Sequence, residues 1–198
     1  MQKNIEDTVA VISCYEGQID EFKNLFKEIY IYDKSESGEY KSTKCSDYNQ
    51  IPNFGYNQFS YLQFIVENYY NLPQRIAFIK SNVVDRHISL NQLKDCLCIN
   101  DKLISLFYIS EKDYANFPSH FDHSKKFLYE LKTGWFESKF ESNFIKSNEE
   151  FEYLVFGKAL DSNYFYFSPG CNYIIDKNLL LMHPRSFYEN LLQLVSFR

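Results

Sequence analysis

Residues Thr8 to Cys14 read TVAVISC, an apolar run rich in β-branched side chains, of the kind that forms a strand buried on both faces. After it, Phe22, Leu25, Phe26 and Ile29 recur at i, i+3, i+4 and i+7, which predicts a helix with one apolar stripe turned toward a sheet. Ile29 to Tyr32 then reads as a second strand delivering Asp33 and Lys34 at its end. A strand, a helical crossover and a second strand favour a parallel pair, so the opening of the chain predicts an α/β fold.

Working outward, Lys34 to Gln50 is polar and has no clear period, which predicts a functional loop or a locally disordered one. Ile51-Pro52-Asn53-Phe54-Gly55 signals a turn, followed by a helix from about Asn57 to Tyr70 that Asn71-Leu72-Pro73 stops. Arg75 to Lys80, RIAFIK, is a third strand, and Ser81 to His87 is the loop leaving its carboxyl end. Ser89 and Gln92 have capping-box spacing, with Ile88 and Leu93 placed as a hydrophobic staple, so a helix is expected from Leu90 to about Leu97. Leu103 to Ile109 reads as a fourth strand, while Phe127 to Leu131 and Glu149 to Phe156 read as helical. Tyr164 to Ile175 suits two strands broken by Ser168-Pro169-Gly170, and His183-Pro184 opens a last helix. With 198 residues, 45% hydrophobic and 24% charged, the expectation is one folded domain over 1–198.

A net charge of -5 disfavours a general binder of phosphate backbones, but leaves room for a local basic cluster that holds one phosphorylated ligand. No apolar run approaches the roughly 18 residues of a membrane span, and Met1 to Asp7 lacks a signal-peptide core, so a cytoplasmic protein is expected. The five cysteines form no CxxC pair, which signals neither a disulfide framework nor a zinc ribbon. Seventeen tyrosines and 19 phenylalanines would suit sugar or base stacking, yet core filling is the more ordinary use of such residues.

The ligand crevice of an open α/β sheet lies beyond the carboxyl ends of its strands. The richest such end here is Lys80-Ser81-Asn82 running on to Asp85-Arg86-His87, where cations from one loop can converge on an anionic group. Asp85 is the carboxylate nearest that cluster and the first candidate for a general base. His120-Phe121-Asp122-His123 has no third metal ligand at an obvious spacing and reads as a surface loop. The chain contains no GxGxxG, Walker, GxSxG or HExxH motif, so the chemistries built on them lose their usual support.

The order VAVISCYEG, IYIYDKS, IPNFGYNQFSYLQFIVENYYNLPQRIAFIKSN followed by RH, and FSPGCNYIIDKNLLLMHPRSFYENLL resembles a glycosyltransferase-like family of bacteria, fungi and large DNA viruses. It is similar to the domain that some algal giant viruses use to build capsid glycans. The resemblance runs over most of Val9 to Val195 and is weakest between about Ser110 and Asn163. It implies a single Rossmann-like domain of GT-A type, with a mainly parallel central sheet flanked by helices, that binds a nucleoside-diphosphate sugar at its strand ends. By position, Ser13, Cys14 and Tyr15 would border the nucleotide, with Asp33 and Lys34 near the base or ribose. Asn53 and Tyr56 would come from the following loop; Lys80, Asn82, Arg86 and His87 would face diphosphate and sugar; Ser168, Gly170 and Asn172 would border a glycan acceptor. Such enzymes usually carry an Asp-x-Asp for a divalent metal, and this sequence has none, so Mn²⁺ or Mg²⁺ stays open without being signalled. The chain stops just after its last expected helix, which would suit one domain of a longer protein.

The leading expectation is thus a sugar transferase acting in surface polysaccharide or viral glycan synthesis. The missing Asp-x-Asp makes a non-catalytic nucleotide-sugar or carbohydrate binding module its rival. An aromatic RNA-binding protein is disfavoured by the acidic charge and the lack of the aromatic signature of RNA-recognition sheets.

Overall fold

The computed structural model describes residues 7–15, 19–38, 40, 45–107, 120–122, 127–131 and 147–196. Its contacts divide the chain into two compact units, Met1–Ile109 with Ser168–Arg198, and Ser110–Phe167. The strands among the described residues are β1 (Thr8–Cys14), β2 (Glu28–Asp33), β3 (Asp47–Gln50), β4 (Arg75–Lys80), β5 (Leu103–Ser105), β6 (His120–Asp122), β7 (Phe127–Leu131), β8 (Tyr164–Phe167) and β9 (Tyr173–Asp176).

The first unit is α/β, with a six-stranded sheet in the order β3-β2-β1-β4-β9-β5. The pairings β3 with β2, β2 with β1 and β1 with β4 are parallel, whereas β9 runs antiparallel to both β4 and β5. The sheet is therefore mixed, a correction to the mainly parallel sheet expected. The opening of the chain specifies only the parallel half.

Period-2 alternation in the buried strands divides the core in two. Ala10, Ile12, Ile31, Ala77, Ile79 and Ile174 pack on one face with Phe22, Leu93 and Leu97. Val11, Tyr32, Ile76, Phe78 and Ile175 pack on the other with Phe59, Phe64, Ile65 and Tyr188. The helices are α1 (Tyr56–Asn68), α2 (Val83–Arg86), α3 (Leu90–Cys98), α4 (Asn148–Phe156), α5 (Lys177–Leu180) and α6 (Arg185–Ser196). α3 covers the first face; α1 and α6 cover the second. α3 forms where the spacing predicts: Ser89 and Gln92 make the full capping box, and Ile88 and Leu93 are both buried. Its last carbonyls meet a cation, because Arg75 at the start of β4 donates to Leu97 O at 2.7 Å and to Ile99 O at 2.6 Å.

Two left-handed residues open α1, its N-cap Gly55 at φ 64° and its first residue Tyr56 at φ 47°. A methyl group on Gly55 would stand 2.6 Å from the Val195 carbonyl, so glycine here also lets α6 come close.

Several local expectations change. The predicted helix at 22–29 is a single 3₁₀ turn, Asp20–Phe22, because β2 takes Ile29 into the sheet opposite Ala10 and leaves too few stripe residues for a helix. The end of the polar stretch 34–50 is not structureless: Asp47–Gln50 is a strand paired with β2. Phe127–Leu131 is a strand rather than a helix, a choice that periodicity cannot make for five residues and that pairing with β6 and β8 decides. The expected strand at Leu103–Ile109 is seen as Leu103–Ser105, with 108–109 outside the described residues. Taken by itself, the second unit is an antiparallel sheet, β6-β7-β8, with the helix α4.

Candidate functional site

The order β2-β1-β4 makes a topological switch point at β1, from which the chain turns to one side for β2 and to the other for β4. The carboxyl ends of β1 and β4 are where an α/β sheet opens a crevice. In register, Ser13 stands beside Tyr32 and Lys80, and Cys14 beside Asp33.

Several of the expected nucleotide contacts turn out to be framework. Ser13 is buried, with its Oγ 2.9 Å from Ser60 Oγ and its carbonyl accepting the Ser81 N–H. Cys14 is fully buried and its carbonyl accepts the Lys34 N–H at 2.7 Å. The Asp33 carboxylate is fully buried as well: Oδ1 accepts from Ser35 N and Ser35 Oγ, and Oδ2 from Tyr48 OH. Lys34 is inside the fold, its ammonium donating to the carbonyls of Phe54 and Tyr56 and lying 5.8 Å from the Phe59 ring centroid. Burial lowers its pKa to about 8. Lys34 thus braces the left-handed turn at Gly55-Tyr56. Tyr15, Asn53 and Tyr56 are exposed, Tyr56 to 79%.

The residues that the structure brings together sit around Gly170. This glycine has φ +67°, and a methyl group built on it would stand 2.7 Å from Asn172 Nδ2, 2.8 Å from His87 Nε2 and 3.1 Å from Lys80 Cε. Asn172 is fully buried; its Oδ1 accepts the Lys80 N–H at 3.0 Å and its Nδ2 donates to Pro169 O. Ser168 is buried too, with its Oγ 2.8 Å from Ser105 Oγ. Expected diphosphate residues and expected acceptor residues therefore share one corner. Within it, Ser168 and Asn172 shape the turn, while Lys80 and His87 are only partly buried.

The corner is cationic. Desolvation and then the charge of Arg86 lower the pKa of Lys80. Desolvation, then Lys80 and Arg86, bring His87 down to about 4. Both ring nitrogens of His87 are buried without a hydrogen-bond partner among the described residues. Arg86 is exposed at the end of α2, the single helical turn that stands where a loop was expected, and Asn82 is its half-buried N-cap. Asp85 lies on α2, with its side chain outside what is described.

Sequence reasoning missed Asn57 and Gln58. Asn57 Nδ2 donates to the Gly170 carbonyl at 2.9 Å and Gln58 Nε2 approaches Cys171 Sγ, so the start of α1 grips the same turn. Cys171 has φ 55°, a conformation that its residue type does not advertise. A separate groove of about 600 Å³ between α1 and α6, lined by Ile51, Phe59, Val66, Glu67 and Leu192, contains none of the expected site residues. Among the described residues no helix is long and apolar enough to cross a membrane, and no three His, Cys, Asp or Glu side chains stand together as ligands for a metal ion. The His120-Phe121-Asp122 stretch is strand β6, and His123 lies outside the described residues.

The fold and its corner define an α/β protein with a cluster of basic side chains at the carboxyl end of β4, next to the switch point of the sheet. The chain belongs to the family described as protein of unknown function (DUF3431), whose model matches residues 15–196. Comparisons with curated proteins and with solved structures returned no match.

Proposed function

We propose that this protein is a glycosyltransferase of GT-A type, cytoplasmic, that moves a sugar from a nucleoside-diphosphate donor to a glycan acceptor. The observation that carries the reading is the meeting of Lys80 and His87 around Gly170 at the switch point, with the charge of Arg86 acting on both. Departure of a nucleoside diphosphate develops negative charge on the leaving oxygen, and fixed cations in a partly desolvated corner stabilise it. Lys80 and Arg86 take that role. Exposed Tyr15 and Tyr56 offer ring faces to the base or the sugar, in place of the buried Asp33 and Lys34. Where the reaction inverts the sugar, Asp85 receives the proton of the attacking hydroxyl. An Asp85→Asn protein that binds donor normally and transfers at the wild-type rate removes Asp85 from that role.

The test of the whole reading is a thermal-shift panel of nucleoside-diphosphate sugars, followed by turnover with the donor that stabilises. A ligand at 100 times its Kd adds about 2.7 kcal/mol to stability. Stabilisation with transfer to a glycan supports the enzyme; no stabilisation by any donor rejects it. The absence of Asp-x-Asp from the sequence favours one other outcome, a binding module that is stabilised by donor and shows no turnover.

A further inference from the structure

We infer that His87 is a third ligand for the anion drawn in by Lys80 and Arg86, and that it takes up a proton as the anion enters. This rests on reading the corner as a diphosphate site, and it adds a proton to the binding reaction.

A neutral imidazole carries one donor and one acceptor, and it needs a partner for each once water is excluded. Both nitrogens of His87 lack one among the described residues. The ring is held in place by other means: its backbone N–H caps α2 on the Val83 carbonyl at 2.9 Å, and the Phe107 ring centroid lies 6.0 Å from its own. Nε2 faces the bare Cα of Gly170, where no side chain can fill the space without meeting it.

The charged groups acting on this imidazole are Lys80 from β4 and Arg86 from α2, and the Cys171 thiol stands beside Lys80 in the turn before β9. Asn172 from the same turn and Phe107 are neutral. No carboxylate is among these neighbours in the described side chains. In the free protein burial first, and then the charges of Lys80 and Arg86, oppose a positive charge on the ring, so the imidazole stays neutral. A diphosphate reverses the balance. It cancels the field of Lys80 and Arg86 and offers only acceptor oxygens, which an imidazolium satisfies with N–H donors and a neutral ring meets with one lone pair facing another. Anion and proton therefore bind cooperatively, and by linkage the affinity for the anion rises as pH falls.

The experiment is a pH titration of the histidine ring signals by NMR on the full chain, without and with saturating inorganic pyrophosphate. The His87 signal is identified by its loss in His87→Gln. Reading the ring directly keeps the probe's own protonation out of the result. The expected outcome is a His87 midpoint at least one pH unit higher with pyrophosphate. Between the two midpoints pyrophosphate should bind tenfold tighter per unit fall in pH, relative to His87→Gln. A midpoint that stays put while pyrophosphate binds, or the absence of saturable binding, overturns the inference. Sugar transfer that fails with every donor while the midpoint moves would sink the transferase and leave the proton-coupled anion site standing.

Discussion

Asn172 holds Lys80 by the backbone: its fully buried Oδ1 accepts the Lys80 N–H at 3.0 Å, 92 positions away along the chain. The end of β4 and the turn before β9 are thus one unit. Asn172→Leu keeps the bulk but strands the Lys80 N–H and the Pro169 carbonyl. Leaving a buried polar group without a partner costs about 1–3 kcal/mol. Urea denaturation should show a loss of that size, together with weaker donor binding; unchanged stability would mean that the two segments are positioned by something else.

Gly170→Ala places a methyl group against Asn172 Nδ2, His87 Nε2 and Lys80 Cε at a residue of φ +67°. The left-handed conformation alone costs a non-glycine residue about 1–2 kcal/mol. The variant should melt earlier and lose donor binding by more than its stability explains, because the methyl occupies the space that the ligand needs. Normal binding by a folded Gly170→Ala protein would place the ligand elsewhere.

His87 makes stability depend on pH in one direction. Burial, then Lys80 and Arg86, hold it at about 4, below the roughly 6.5 of an unperturbed histidine. Between these values the unfolded chain binds a proton that the native fold does not, so the contribution is intact above about pH 6.5 and declines toward pH 4. His87→Gln removes it. The difference in Tm between variant and wild type should move in the variant's favour as pH is lowered from 7 to 5, in the absence of phosphate. A difference that stays constant over that range contradicts the assignment.

Cations rather than a metal are expected to stabilise the leaving group. Transfer should survive a strong chelator, while Lys80→Ala and Arg86→Ala should each reduce kcat by about 10²–10³-fold, the size seen when one electrostatic donor is removed from a reacting centre. Complete loss in chelator with recovery on adding Mn²⁺ would assign the role to a metal.

The strands β1, β4 and the helix α3 were legible because their determinants are local: a β-branched run, RIAFIK, and a capping box with its staple. The helix at 22–29 was misread because the same spacing serves a loop that buries Phe22 and Phe26 and hands Ile29 to a strand. In the candidate site, the cluster of Lys80, Arg86 and His87 was visible as charge density. The burial of Asp33 and Lys34 was not, since it depends on Tyr48 and on the Gly55-Tyr56 turn reached across the sheet edge. Cys171 next to Gly170 gave no sign of a second left-handed residue, and Asn57 contacts the turn only through the fold.

The hydrogen bond between Ser105 Oγ and Ser168 Oγ has a consequence for how this architecture can vary. The chain leaves the first unit after Ile109 and returns at Ser168, and near both points it is already stitched together, by these serines and by the Leu106 N–H on the Asn172 carbonyl. The entropy of closing a loop grows only logarithmically with its length once the ends are joined. A change in the number of residues between Ile109 and Ser168 therefore adds little closure entropy against the sheet. A short Gly-Ser linker in place of residues 110–167 should leave the six-stranded unit folded.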